Sequence, residues 1–341
     1  MQKTAILLLN LGTPDEPTPK AVRRYMTQFF DDKNVIDLPK IGRRILTRCC
    51  IIPFRVPKST KLYQTLWTEN GSPLAYNTSG LNSKLQSKMP DNVSVFHAMR
   101  YQNPSVKKVM NDIYAGGYDK LLVLPLYPQY ATSSTFSVME AVENEMREWT
   151  VRPEIVFVKQ FYNHPAFIEA FSRRISSYNI KEYDYVLFSY HGLPNRHIKK
   201  IHLHGSLDDC EQNKCEAKPG HYCYKASCYE TTRLLAERLG LEKKQYATSF
   251  QSHLSSGWFT PITNDTLIEL ANKGYKRVLV TAPSFVSDCL ETIVEIDIVC
   301  KEKFLKHGGE KLTLVESLNM SDEWVSALEE IIRDNTLSSF C

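Results

Sequence analysis

The run Ser287-Asp288-Cys289-Leu290-Glu291-Thr292-Ile293-Val294-Glu295 carries three carboxylates at spacings of three and four. On an α-helix at about 100° per residue, Asp288, Glu291 and Glu295 fall within an arc of roughly 60°, spread along ~10 Å of axis. A row of carboxylates can attract a cation or pass protons from one group to the next. An acidic stripe is also the ordinary solvated face of a helix, and spacing alone does not separate the two. The preceding run favours a site. Arg277-Val278-Leu279-Val280-Thr281-Ala282-Pro283 reads as a buried strand, so the stripe starts at a strand's carboxyl end, where open α/β sheets place their ligands.

A histidine occupies the corresponding place on another strand. Tyr185-Val186-Leu187-Phe188-Ser189-Tyr190 runs straight into His191-Gly192-Leu193-Pro194, which puts His191 on a loop over the sheet. Imidazole there can accept a proton near neutral pH or bind a metal, although a lone histidine after a strand is more often structural. Together, a base and a carboxylate row suit chemistry that removes protons and delivers a cation.

The third chemical feature is a thiol quartet. Cys210, Cys215, Cys223 and Cys228 are spaced C-x4-C-x7-C-x4-C after a hydrophilic stretch. Four thiolates bind zinc or an iron–sulfur cluster. Zinc sites usually carry tight C-x2-C pairs, which are missing here. A loop of unligated thiols remains the bland reading, and His202, His204 and His221 are weaker alternative ligands.

These groups need a scaffold. Short apolar runs bounded by turn residues recur at 5–9, 93–99, 121–125, 154–161, 185–190, 246–251, 278–282 and 312–316. Most lack polar alternation, as strands covered on both faces do. Helix-like stretches separate them at 18–30, 104–115, 134–147, 164–178, 228–239, 262–273 and 288–305. The alternation predicts α/β architecture: two Rossmann-like lobes, each with a four-stranded parallel sheet flanked by helices, and a cleft between them. The expected division is 1–155 and 156–341, the second lobe carrying the cysteine insert at 199–228 and a last helix opening at Ser321 or Asp322. No G-x-G-x-x-G or Walker loop is present, which disfavours nucleotides; Gly12 reads as a tight turn after the first strand.

Composition excludes other classes. A net charge of +4 over 341 residues does not argue for nucleic acid. No stretch approaches the ~20 apolar residues that span a bilayer, and the amino terminus does not read as a signal peptide. A cytoplasmic location follows as the expectation, with disulfides not expected. Residues 41–58, IGRRILTRCCIIPFRVPK, mix apolar and basic side chains. This segment reads either as a helix packed on the core or as a peripheral contact with an anionic bilayer at the inner face of the cell membrane, with Leu46, Ile51, Ile52 and Phe54 dipping in. Cys49 and Cys50 read as packing residues.

Ser-Tyr-His-Gly-Leu-Pro at 189–194 and Ser-Asp-Cys-Leu-Glu-Thr at 287–292 resemble the two signature motifs of the ferrochelatase family. The similarity extends over nearly the whole chain, through Leu8–Pro14, Trp67–Leu74, Arg100-Tyr101, Leu126–Tyr130, Phe250-Gln251-Ser252 and Gly257-Trp258. The resemblance implies insertion of Fe2+ into protoporphyrin IX in a two-lobed fold. It implies that His191 and Glu291 act on the pyrrole nitrogens and that Glu295 and Asp288 continue a metal or proton path along a helix widened into a π-turn. Leu11, Arg55, Ser72, Arg100, Tyr127 and Trp258 become candidate porphyrin contacts, Arg100 and Arg55 for its propionates. The cysteine quartet resembles the internal [2Fe-2S] segment of some bacterial members, with zinc as the alternative, and 41–58 resembles the family's hydrophobic lip. Two departures stand out: Cys289 where some relatives have histidine, and His253 where many have arginine. Rival readings are a coproporphyrin ferrochelatase, a class II chelatase loading cobalt or nickel into another tetrapyrrole, and a non-catalytic tetrapyrrole-binding redox sensor.

Overall fold

The computed structural model describes residues 2–201, 222–253 and 256–337. All eight expected strands form. The first sheet holds β1 (Thr4–Gly12), β2 (Val93–Tyr101), β3 (Lys120–Pro125) and β4 (Glu154–Phe157) in the order β2-β1-β3-β4. The second holds β5 (Tyr185–His191), β6 (Tyr246–Gln251), β7 (Arg277–Thr281) and β8 (Lys311–Leu314) in the order β6-β5-β7-β8. Every pairing is parallel. The two sheets therefore repeat one topology.

The apolar runs form strands because helices cover them. Ala5, Leu7 and Leu9 pack with Leu121 and Val123 against Val109, Met110 and Ile113 of the helix Val106–Gly116, and against Val138 and Val142 of Ser137–Glu145. In the second sheet Val278, Val280 and Leu312 pack against Leu267 and Leu270 of Thr263–Asn272, and against Ile296, Cys300 and Phe304. The turn after β1 depends on its glycine. Gly12 has φ +103°, and a side chain there would overlap the Tyr101 carbonyl of the neighbouring strand.

The chain divides into two compact units: 1–127, 132–160 and 320–341 in one, 128–131 and 161–319 in the other. This corrects the expected division at 155. The last helix, Asp322–Leu337, belongs to the first unit. Lys84 of the helix Pro73–Gln86 and Lys88 just beyond it pair with Asp322 and Glu329, and Trp324 is fully buried.

The lip segment folds as Lys40–Ile45, a π-helical turn Leu46–Ile51, and Ile52–Leu66. Its outward face differs from the expected one. Ile52 is buried and Leu46 and Ile51 are half-buried, whereas Ile41, Ile45 and Phe54 point outward, Ile41 at 76% and Phe54 at 74% exposure. Arg43 is buried and donates to the Leu38 carbonyl. Cys49 and Cys50 are exposed rather than packed. No helix among the described residues is long and apolar enough to cross a membrane.

Candidate functional site

His191 ends β5, the strand flanked by β6 and β7. Its partner in register is Gln251, the last residue of β6. Gln251 is buried and satisfied on both sides: Ser189 Oγ donates to its Oε1 at 2.8 Å, and its Nε2 donates to the Glu291 carbonyl at 2.7 Å. One side chain thus links the histidine strand to the first turn of the acidic helix. The ring of Phe285, on the loop after β7, lies 6.3 Å from the His191 ring. The loop after His191 is fastened by Asn195 N–H to the Gly257 carbonyl and Phe259 N–H to the Leu193 carbonyl, and Trp258 bridges to Pro194. His191, Glu291, Glu295 and Trp258 are all half-buried, so each keeps a face open to solvent or ligand.

The acidic helix is a π-helix over Leu290–Cys300, closed by Lys301 N–H to the Ile296 carbonyl five residues back. This geometry is rare and needs tertiary support. Val294 and Ile296 are buried to 3% and 0% exposure, and each contributes about 1.5–3 kcal/mol of apolar burial. Glu291 and Glu295 on the same helix stay half-buried. Ser252 N–H donates to Glu295 Oε1 and Ser252 Oγ to Oε2, both at 2.6 Å. Ser252 has φ +59°, a left-handed conformation that costs a non-glycine residue ~1–3 kcal/mol.

Asp288 departs from the expected stripe. It precedes the π-helix, so the constant 100° rotation does not relate it to Glu291. It is buried, and its carboxylate accepts from Thr292 Oγ1, the Ser317 N–H and Asn319 Nδ2 at 3.1, 3.2 and 2.7 Å. These bonds tie the π-helix to the segment after β8. Cys289 caps the helix: its thiol accepts from the Thr292 N–H while Thr292 Oγ1 accepts from the Cys289 N–H. Burial and the adjoining Glu291 carboxylate push the Cys289 thiol well above its usual range. Burial and Glu295 push Cys300 up to about 12. Both thiols are thus protonated at neutral pH. Among the described residues, no three His, Cys, Asp or Glu side chains converge to cage a metal.

The candidate porphyrin contacts of the first unit are bound up with protein partners to different degrees. Arg100 donates from Nε to Ser137 Oγ at 2.8 Å and from Nη2 to Asp32 at 2.6 Å. Asp32 also accepts from Tyr101 OH at 2.9 Å, Ser137 Oγ at 2.5 Å and the Asn34 N–H at 2.7 Å. Burial alone would raise the Asp32 pKa, but Arg100 and the donated hydrogen bonds outweigh it and hold this carboxyl below its ordinary range. Arg100 is therefore the counter-ion of a buried acid through Nη2. Asp32 went unnoticed in the sequence; the pair Asp31-Asp32 directly after Phe29-Phe30 was its only signal. Tyr127 has a buried hydroxyl with no hydrogen-bond partner among the described residues; burial raises its pKa despite Arg100 nearby. Ser72 is buried and donates to Thr13 Oγ1. Leu11 is half-buried, and Arg55 lies 5.8 Å over the Phe30 ring.

Of the cysteine quartet, Cys210 and Cys215 lie outside the described residues. Cys223 and Cys228 are both buried at the start of the helix Tyr224–Arg238, close enough to influence each other electrostatically. Burial raises the Cys228 pKa well above normal, partly offset by a hydrogen bond from Tyr224. Cys223 and Cys228 would supply two thiolates to a bound metal or cluster, and binding it would require Cys228 to give up the proton that burial favours.

Comparison with known proteins agrees over the full length. The ferrochelatase family model matches residues 3–336. The ferrochelatase of Legionella pneumophila is 42% identical over 334 residues, covering 97% of this chain and 99% of the relative. That of Coxiella burnetii is 40% identical over 338 residues, covering 97% and 93%. Among solved structures, SirB from Bacillus subtilis with Fe3+ superposes with a TM-score of 0.57 at 12% identity, covering 99% of this chain and 97% of that one; at that identity the likeness concerns the fold. Two parallel sheets of one topology, a histidine and a π-helical acid pair joined through Gln251, and this full-length similarity converge on one conclusion: the chain belongs to the ferrochelatase family, metal chelatases that make haem by inserting iron into a porphyrin.

Proposed function

We propose that this chain inserts Fe2+ into protoporphyrin IX and that His191 and Glu291 are its working pair. The observation that carries the reading is the Gln251 bridge, which registers with His191 and donates to the Glu291 backbone. Metallation exchanges two pyrrole N–H protons for one Fe2+, so the site must accept two protons while an ion sheds its water. His191 accepts a pyrrole proton as general base. Glu291, hydrogen-bonded by the Cys289 thiol and half-exposed, takes up the second, and Glu295 relays positive charge along the helix. Asp288 stands outside this relay because it is buried with its oxygens on Thr292, Ser317 and Asn319, whereas Glu295 is only half-buried. Holding the macrocycle bent exposes nitrogen lone pairs to the incoming ion, a use of binding energy that favours the transition state.

The test is His191→Ala, assayed separately for porphyrin binding and ferrous insertion. Binding is retained and insertion falls by at least about 100-fold, the scale of a lost general base. Normal turnover overturns the assignment. Parallel assays with coproporphyrin decide the acceptor; a higher kcat/KM with coproporphyrin overturns protoporphyrin as substrate.

Two further roles belong to the same reading. Cys210, Cys215, Cys223 and Cys228 hold a [2Fe-2S] cluster, which when bound supplies a redox-active group and braces the insert; zinc is the alternative occupant. The face bearing Ile41, Ile45 and Phe54, flanked by the basic Arg44, Arg48 and Lys58, rests on an anionic membrane surface without crossing it.

A further inference from the structure

We infer that Ser252 is a positioning residue for iron, acting through Glu295. Its N–H and Oγ each bind a different oxygen of the Glu295 carboxylate at 2.6 Å. A glutamate at the sixth position of a π-helix has three rotatable bonds, and this two-pronged grip selects one rotamer. The grip is made possible by the left-handed backbone at Ser252, φ +59°, which turns its N–H toward the helix instead of along the strand direction. A serine without a task there would be replaceable by glycine, which takes that conformation freely. The neighbouring residue completes the arrangement. Gln251 fixes the Glu291 backbone, so two consecutive residues at the end of β6 align both acids with the histidine strand. Ser189 and Thr263 support Gln251 from beneath: Ser189 Oγ bonds to both. Glu295 so held presents a fixed carboxylate face to an arriving cation, and iron capture does not have to order the side chain first. The inference rests on the proposed role of the acid pair and deepens it.

A double-mutant cycle on the full-length protein separates this role from a structural one. Ser252→Ala raises KM for Fe2+ about tenfold, the scale of one charge-assisted hydrogen bond, with porphyrin affinity unchanged. Ser252→Gly, which relieves the backbone strain but lacks the hydroxyl, raises it equally. In a Glu295→Ala background neither change alters KM for Fe2+ further, because the partner is gone. An iron KM within about twofold of the parent in both single variants overturns the inference. Multiplicative effects in an impaired Glu295→Ala background overturn the clamp alone. A Glu295→Ala enzyme indistinguishable from the parent overturns the role of the acid pair, and the clamp with it.

Discussion

Asp32→Asn is expected to destabilise the protein by about 3 kcal/mol, and the cause is specific. Asp32 is only 4% exposed in its side chain, and one of its oxygens takes Arg100, Tyr101 and Ser137 while the other takes the Asn34 N–H. An amide of the same shape must point its NH2 toward one of these two sets of donors. The less costly choice faces Asn34 and leaves that N–H unpaired, about 1–3 kcal/mol. Arg100, 23% exposed, also loses its counter-ion, and breaking a buried pair costs about 3–5 kcal/mol when nothing replaces the lost partner. Retained bonds to the amide oxygen bring the sum down to about 3 kcal/mol, or roughly 6–12 °C in Tm for a unit of this size. The pH dependence has a definite sign. The folded Asp32 pKa lies below its unfolded value, near 3.9, so its contribution is complete above that value and is lost as pH falls through the folded pKa. Parent and variant should therefore differ by a constant amount from about pH 5 to 8 and converge below about pH 4. Calorimetry across that range checks it. A variant within 0.5 kcal/mol of the parent by that calorimetry, or a gap that widens in acid, would show that the Asp32–Arg100 pair is not the anchor described here.

Three further outcomes follow from the same structure. Asp288→Asn lowers stability by about 2 kcal/mol, as loss of a fully used buried acceptor does, yet leaves KM for Fe2+ within about twofold; a large rise in iron KM at intact stability would return Asp288 to the metal path. Ile41→Glu with Phe54→Glu weakens binding to anionic vesicles by roughly tenfold or more per side chain without changing Tm, since both side chains are exposed; unchanged sedimentation with vesicles refutes the membrane face. With the proposed cluster bound, protein purified aerobically is expected to be brown and Cys210→Ser and Cys228→Ser are each expected to bleach it; a colourless zinc-loaded parent by metal analysis contradicts the cluster.

Much of this architecture was readable in the chain because its determinants are local. Buried parallel strands appear as uninterrupted apolar runs, and both His191 and the acid pair follow such runs directly. The failures are non-local. A constant 100° per residue aligned Asp288 with Glu291, but the π-helix starts only at Leu290. Asp288 is claimed by Ser317 and Asn319, about thirty residues downstream, for which its own neighbourhood holds no sign. Arg100 gave no hint of its acid, because Asp32 is 68 positions away. The last helix was assigned to the unit it follows, whereas Lys84, Lys88 and a buried Trp324 hold it on the other. Gln251 and Ser252 were visible only as part of a motif; that they reach the acids depends on β6 lying beside β5, which spacing does not encode.

The most direct measurement is single-turnover metallation by stopped-flow absorbance, with porphyrin pre-bound and Fe2+ mixed anaerobically, for the parent, His191→Ala and Glu291→Gln. Both variants should hold porphyrin with near-parent affinity and lose the metallation phase by at least about 100-fold. A metallation phase of parent rate in either variant would contradict the pairing of a strand-end imidazole with the π-helical carboxylate.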